Sequence, residues 1–403
     1  MKIMNSKITN FISGALGLII IAASTSCKKE ELSLNSNAKV FSVAQFKSNL
    51  QIGILSSAAT QPRGYSFVIN KGGVWVDTTS FGSASINATG GGFNKMHVNQ
   101  EINIASVTKA FTAIAVFQLI KTIGNGVTTK SKIGEWLPTY WNAKQVIKDI
   151  TFEQLMTHSS GLTESNTSYD SLKATAARGL DNPAKPLDVY ANINFALFRA
   201  MIPYMRDKAA ATAKENAMLP GDVTGFENWL SQQYMDYMQV KVFTPIGLNN
   251  VTCSPAPNSA QAFSESNGVG LASATLNNWT NTCGGGGYFL SVMEMARVMA
   301  YLSNSYTLQD KDQRKLMDDN FMGWDNEDSP MTVAGQAYGK DGALWWDSNN
   351  SGVQDNGDAG LQTFVIKFPN AVELSLVINS IPGNYRSISN FVTNAYNNAW
   401  IKQ

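Results

Sequence analysis

Histidine, cysteine and charge are all scarce in this 403-residue chain. His97 and His158 are the only two histidines, and neither sits in a triad-like context. With so few, no histidine cluster can hold a catalytic zinc. Charged residues are 15% of the chain and the net charge is +1, so nothing draws it generally to nucleic acid or anionic surfaces. No Gly-x-Ser-x-Gly elbow surrounds the serine that matters below. Gly284–Gly287 are four consecutive glycines, but no Lys-Ser/Thr pair follows them, which rules out a phosphate loop. The apolar run Phe11–Ala23 is too short to span a membrane, and no internal repeat is visible. Hydrophobic residues at 44% exclude a disordered chain.

The N-terminus reads as an export segment over residues 1–26. Lys2 and Lys7 supply positive charge, and the apolar run ends in small residues. Ser24-Thr25-Ser26-Cys27 resembles the bacterial lipobox, in which the cysteine is lipidated and becomes the first residue. Ser24 stands where leucine is usual. The alternative is an ordinary signal peptide with a chance cysteine. Residues 27–43 follow as a polar tether, and 44–403 as one large domain. Cys253 and Cys283 are the only other cysteines; they are either a pair or two isolated buried thiols.

Ile102–Phe111 organises the domain. From Val107 to Ile120 the chain is apolar almost all round, as in a helix buried on every side. Ser106 and Lys109 are the polar exceptions at its start. Three residues apart, they share one helix face. A buried lysine is costly unless paired or deprotonated, and a serine at a helix start sits where developing negative charge is favoured. Together they form a candidate nucleophile and base. The alternative is a chance tetrad with Ser106 as a helix N-cap.

Later segments have their own patterns. Residues 44–55 predict a helix. Tyr65–Ile69 and Val74–Val76 flank Lys71-Gly72-Gly73 as a hairpin, and residues 82–100 read as loop. Thr151 and Gln154 fit a capping box, with Gly161 ending that helix. Residues 226–250 hold an amphipathic helix, and another runs from about Val292 to Leu302. Leu361–Phe368 and Val372–Ile378 read as strands, followed by a helix over 388–400.

Ser106-Val107-Thr108-Lys109, with Ile150–Leu162, is similar to the beta-lactamase-related serine hydrolases: class C beta-lactamases, D,D-carboxypeptidases and esterases of one fold. The similarity covers roughly residues 44–400. Tyr190-Ala191-Asn192 stands in the place of that family's Tyr-x-Asn, and Lys340-Asp341-Gly342 in the place of its Lys/His-Thr/Ser-Gly. The resemblance implies an α/β (α+β) fold. An antiparallel sheet is built from both chain ends, the terminal helices flank it, and a helical part is inserted over about 106–335. It further implies Ser106, Lys109 and Tyr190 as catalytic, and Asn192, Lys340, Gly342 and Ala343 as substrate-binding. The amides of Ser106 and Ala343 would form an oxyanion hole. His158 receives no catalytic role. Asp341 replaces a hydroxyl residue that helps bind a substrate carboxylate in beta-lactam-cleaving relatives, and an aspartate there repels that group.

One loop lies outside the resemblance. Asp347, Asn349, Ser351, Asp355 and Asp358, with Gly352, match the spacing of an EF-hand-like calcium loop. The alternative is a solvated polar hairpin. The expectations are therefore a serine hydrolase working through an acyl-enzyme on a peptide, amide or ester, with no cofactor required for catalysis and calcium as a structural ion. It is expected to be lipid-anchored in the bacterial cell envelope and to have no nucleic-acid partner. Alternatives are a class C-like beta-lactamase or a non-catalytic cell-wall- or ligand-binding lipoprotein on the same fold. The mark of the latter, loss of Ser106, Lys109 or Tyr190, is not present.

Overall fold

The computed structural model describes residues 39–402 apart from 58–60, 88–91, 186–187, 265–272, 275, 349, 356 and 382–386. The export segment and Cys27 lie outside the described residues. Phe41–Ile401 form one unit; of the remainder only Lys39, Val40 and Lys402 are described.

Helix α1 (Val43–Ser56) starts where the Ser42 hydroxyl accepts from the Gln45 amide at 3.2 Å. Its buried residues, Phe46, Leu50 and Ile54, recur every four positions and make one stripe. Strands β1 (Gly64–Lys71) and β2 (Val74–Ile86) form the expected hairpin, with Gly72 and Gly73 at φ 61° and 79°. Two successive positive φ values suit a two-residue turn whose twist matches the strands. The loop expected over 82–100 is partly strand, because β2 runs to Ile86 and pairs there with β3 (Phe93–Lys95). Ser83, Ala84 and Ser85 are too small to give the hydrophobic alternation that marks a strand.

Helix α2 (Val107–Ile123) is buried without a break from Val107 to Phe117. After it come α3 (Ile193–Arg206), α4 (Val223–Met238), the short strand β4 (Ala262–Ser264) and α5 (Val292–Asn304). The helix expected over 226–250 is α4 followed by a wider turn at Gln239–Phe243 and a tighter one at Thr244–Ile246. The Thr151 capping box is present, but its helix, Phe152–Met156, stops short of Gly161. His158 at φ 51° breaks it, and Gly161 at φ 84° turns the chain again.

Strands β5 (Tyr338–Trp346), β6 (Ala359–Lys367) and β7 (Val372–Ile378) pair antiparallel in that order, and β7 pairs with β1. The two chain ends thus meet in one sheet. The insertion is not wholly helical, because Phe263 of β4 returns to pair with Gly360.

Alternation sorts the side chains to two faces. Tyr65, Phe67, Ile69, Phe364, Ile366, Leu374 and Leu376 join Phe46, Leu50 and Ile54 of α1 and Phe391, Val392 and Tyr396 of the closing helix α6 (Ile388–Asn397). Val68, Leu361, Val365 and Val377 face the other core, with α2 and α5. Each fully buried side chain of this size contributes about 1.5–3 kcal/mol. A sheet clamped from both sides is a rigid mount for the end of α2. None of the described helices is long and apolar enough to cross a membrane.

Candidate active site

Ser106 does not cap α2. Its hydroxyl makes no capping bond; it lies 2.9 Å from the Lys109 Nζ and 2.5 Å from the Tyr190 hydroxyl. That removes the N-cap reading. The backbone presents Ser106 through a tight bend. Ala105 sits at φ 47°, a left-handed conformation that alanine seldom adopts. The bend is held at both ends: the Asn103 side-chain oxygen accepts from the Ala105 amide at 2.8 Å, and the Thr363 hydroxyl donates to the Ile104 carbonyl at 2.8 Å. Strain kept by such contacts is common at functional sites.

Lys109 is 0% exposed. Its Nζ donates to the Asn192 side-chain oxygen at 2.9 Å and to the Gly285 carbonyl. None of these partners carries a charge. Burial, reinforced by the nearby Lys340 charge, holds the Lys109 amine well below the usual lysine range. A neutral amine has two N–H groups and one lone pair. The two acceptors use the N–H groups, and the lone pair is left for the Ser106 O–H.

Tyr190 enters from the turn before α3. Nearly half of its side chain is open to the cleft, while its hydroxyl lies against Ser106 and is 3.4 Å from the Asn192 side-chain oxygen. Desolvation pushes the phenol up to about 12, so it is protonated at neutral pH. A phenolate is therefore not the resting form, and the Lys109 amine is the group beside Ser106 whose proton affinity is lowered. Lys340 and Lys109 lie 5.3 and 4.8 Å from the centre of the Tyr190 ring.

His158 stands behind this pair. Its ring is 4.6 Å from the Tyr190 ring, and Nδ1 accepts from the Ala191 amide at 3.2 Å. Burial holds it well below the usual histidine range, which keeps it neutral. It positions the Tyr190–Asn192 turn and does not reach Ser106. Arg199, 2% exposed, donates to the carbonyls of Cys283 and Thr167, tying two walls of the cleft to α3. Cys253 and Cys283 are disulfide-bonded, 6.2 Å apart at Cα. The bond anchors the segment whose Gly285 carbonyl holds Lys109.

On the opposite side, β5 passes close to Ser106. A Cβ on Gly342 would come within 2.8 Å of the Ser106 nitrogen and 2.7 Å of the Ile104 oxygen, so only glycine lets the strand approach this far. Ala343 lines the cleft, which encloses about 550 Å³. Lys340 is 1% exposed and does not point freely into that space. It is ion-paired with Asp325, and Asp341 lies 3.3 Å away. Burial opposes its charge, but Asp325 and Tyr190 override that and hold Lys340 well above the usual range. Asp328 Oδ2 accepts from the Asp341 amide at 2.9 Å. Its own burial, with the Asp341 charge, pushes Asp328 well above the usual carboxylate range. Sequence reasoning missed Asp325 and Asp328. Their approach to Lys340 depends on packing between distant segments, and no local spacing signals it.

The 347–358 loop follows β5 and leads into β6. Asp347 accepts from the Ser351 and Gly352 amides at 2.9 and 2.8 Å, and Asp358 from the Ser348 and Asp355 amides at 2.9 Å each. Asn349 is outside the described residues. Among those described, the carboxylates of Asp347, Asp355 and Asp358 do not gather within one ion's reach; the three that do are Asp325, Asp328 and Asp341.

A buried helix that carries a serine and a lysine with a depressed pKa, closed by a tyrosine turn on one side and a glycine-bearing strand on the other, is an arrangement able to carry acyl transfer. Residues 56–213 match the family model for beta-lactamase, a span that includes Ser106, Lys109, His158, Tyr190 and Asn192. The fold is that of FmtA from Staphylococcus aureus (18% identity, 90% of this chain and 92% of that one, TM-score 0.60). It is also that of a beta-lactamase/D-alanine carboxypeptidase from Yersinia pestis (16%, 89% and 99%, TM-score 0.59). A D-amino acid amidase from Ochrobactrum anthropi SV3 shares it as well (14%, 88% and 98%, TM-score 0.60). No curated protein sequence matches the chain. The chain is therefore similar to beta-lactamases in sequence over residues 56–213 and shares the fold of these three proteins along most of its length.

Proposed function

We propose that this protein is an acyl-enzyme hydrolase of amides, peptides or esters, with Ser106 as nucleophile. The observation that carries this reading is the Ser106 hydroxyl set between the Lys109 amine, which burial holds well below the usual lysine range, and the protonated Tyr190 phenol. As Ser106 Oγ bonds to the acyl carbon, its proton passes to Lys109 Nζ. The carbonyl oxygen takes the negative charge and is met by the amides of Ser106 and Ala343. Tyr190 protonates the leaving nitrogen or oxygen and regains a proton from Lys109. Water then cleaves the Ser106 ester with the same groups acting in reverse. The fold neighbours named above, a D-amino acid amidase and a D-alanine carboxypeptidase among them, support this reaction class. Beta-lactam turnover is slow on this reading, because Asp341 stands where a carboxylate-binding hydroxyl would.

The test is a panel of acyl esters and amides with mass spectrometry of the protein. A Ser106 adduct that forms in the wild type and not in Ser106→Ala is expected. Equal turnover by Ser106→Ala overturns the assignment.

Export and lipid anchoring through Cys27 belong to this proposal, supported by the N-terminal sequence pattern. So does calcium binding by the 347–358 loop, supported by its oxygen spacing alone. Its described carboxylates would have to give up amide partners to meet an ion. A melting midpoint that rises with calcium, falls with chelator and does neither in Asp347→Ala is the expected result; an unmoved wild-type midpoint overturns it.

A further inference from the structure

We propose that this site selects acyl substrates carrying no carboxylate near the scissile bond, ordering ammonium-bearing over neutral over carboxylate-bearing compounds, and that Asp341 with Asp325 sets this order. The inference rests on the hydrolase reading above and names its substrate class.

Two independent observations carry it. The first is the state of the site's cations. A substrate carboxylate needs a cation free to meet it. Lys109 is buried on three uncharged partners and spends its N–H groups on Asn192 and Gly285. Lys340 is 1% exposed and committed to Asp325, with Asp341 3.3 Å away. Among the described residues Lys340 is thus the one cation here, and it is already shared between two carboxylates, those of Asp325 and Asp341. The Asp341 side chain is 43% exposed; it stands behind the cleft wall, 3.3 Å from Lys340, whose Nζ is 5.3 Å from the centre of the cleft-lining Tyr190 ring, so its charge acts on the cleft through space. Like charge brought against like in a partly enclosed cleft is strongly disfavoured.

The second observation is the lining of the cleft. Among the described residues, none of its walls carries a formal charge. Asn166, Thr167, Asn277 and Asn278 supply neutral donors and acceptors, and Trp279 and Trp346 supply flat apolar faces. Uncharged polar groups and aromatic rings together suit a neutral amide-bearing or hydroxyl-bearing acyl group. Neither the walls nor the lysines provide an anion subsite.

The experiment uses the full-length protein and a neutral fluorophosphonate, which phosphonylates an activated serine with loss of fluoride. Labelling of Ser106 is read by mass. Three boronic acids, identical except for an ammonium, carboxamide or carboxylate substituent, compete for the same oxygen and slow the labelling. The expected result is protection in that order, with the carboxylate at least about tenfold weaker than the carboxamide, and the gap narrowing in high salt. Asp341→Asn should bring the carboxylate and carboxamide close together, while Asp341→Glu keeps the order. Labelled Ser106 with equal protection by all three, or an unchanged order in Asp341→Asn, overturns the selectivity and leaves the hydrolase reading standing. Absence of any Ser106 labelling overturns both.

Discussion

Lys109 is the residue whose chemistry depends most on its surroundings. In water a lysine is fully protonated at neutral pH and cannot take a proton from serine. Burial against Asn192 and Gly285, with Lys340 nearby, holds the amine well below the usual lysine range and so favours its neutral form. Activity therefore falls on the acid side, as Lys109 gains a proton and loses the lone pair that Ser106 requires. Tyr190, pushed up to about 12, keeps its proton throughout the neutral range and sets no alkaline limit there. Lys109→Met retains length and packing but removes the base. It is expected to cost about 10²–10⁴-fold in kcat, the usual worth of acid–base assistance, and to abolish the acid limb of the kcat/KM profile. A Lys109→Met enzyme with the wild-type pH profile would show that the base lies elsewhere.

The segment from Cys283 to Ser291 does more than turn the chain. Its Gly285 carbonyl holds Lys109, its Gly284 carbonyl accepts from the Thr112 hydroxyl at 2.9 Å, and Arg199 grips the Cys283 carbonyl. The disulfide to Cys253 closes a span of 30 residues around this arrangement. Removing a cross-link over a loop of that length costs about 3–4 kcal/mol on a chain-entropy basis. Cys253→Ser/Cys283→Ser should therefore melt earlier and turn over more slowly than the disulfide-bonded protein, even below the melting range. Thermal melting checks the first effect and steady-state kcat at 20 °C below the new midpoint checks the second. Loss of stability with unchanged kcat would mean that Arg199 and Thr112 alone keep Gly285 in place.

Across the domain, stability depends on pH through groups far from the cleft. Glu373 on β7 is 1% exposed, and its Oε1 accepts from the Asn304 amide at 2.8 Å. Desolvation raises its pKa from 4.5 to about 7. Between those values the folded protein keeps a proton that the unfolded chain has released. Its contribution is therefore fully present below about 4.5 and is lost as pH rises through about 7. Glu373→Gln removes this titration. The variant should melt higher than the wild type at pH 8 and close to it at pH 4.5. Scanning calorimetry at the two pH values decides this, and a gain of equal size at both would point to packing and not to ionisation.

Much of this protein was legible before its fold. The hairpin at Gly72-Gly73, the apolar helix behind Ser106, the Thr151 capping box and the strands near the C-terminus all follow from local periodicity and turn chemistry, which act over a few residues. The same holds for the order of the Ser106, Tyr190 and Lys340 segments, because order is a property of the chain itself. The small-residue strand at Ser83–Ile86 and the early end of the Phe152–Met156 helix escaped, since neither leaves a hydrophobic pattern. What only the tertiary structure decided is charge and contact. Whether Cys253 meets Cys283, whether Lys109 is neutral, and whether Lys340 is free or bound to Asp325 depend on which atoms exclude water from each group. Residues distant in sequence supply those atoms, and only packing the sheet, α2 and α3 together brings them within reach.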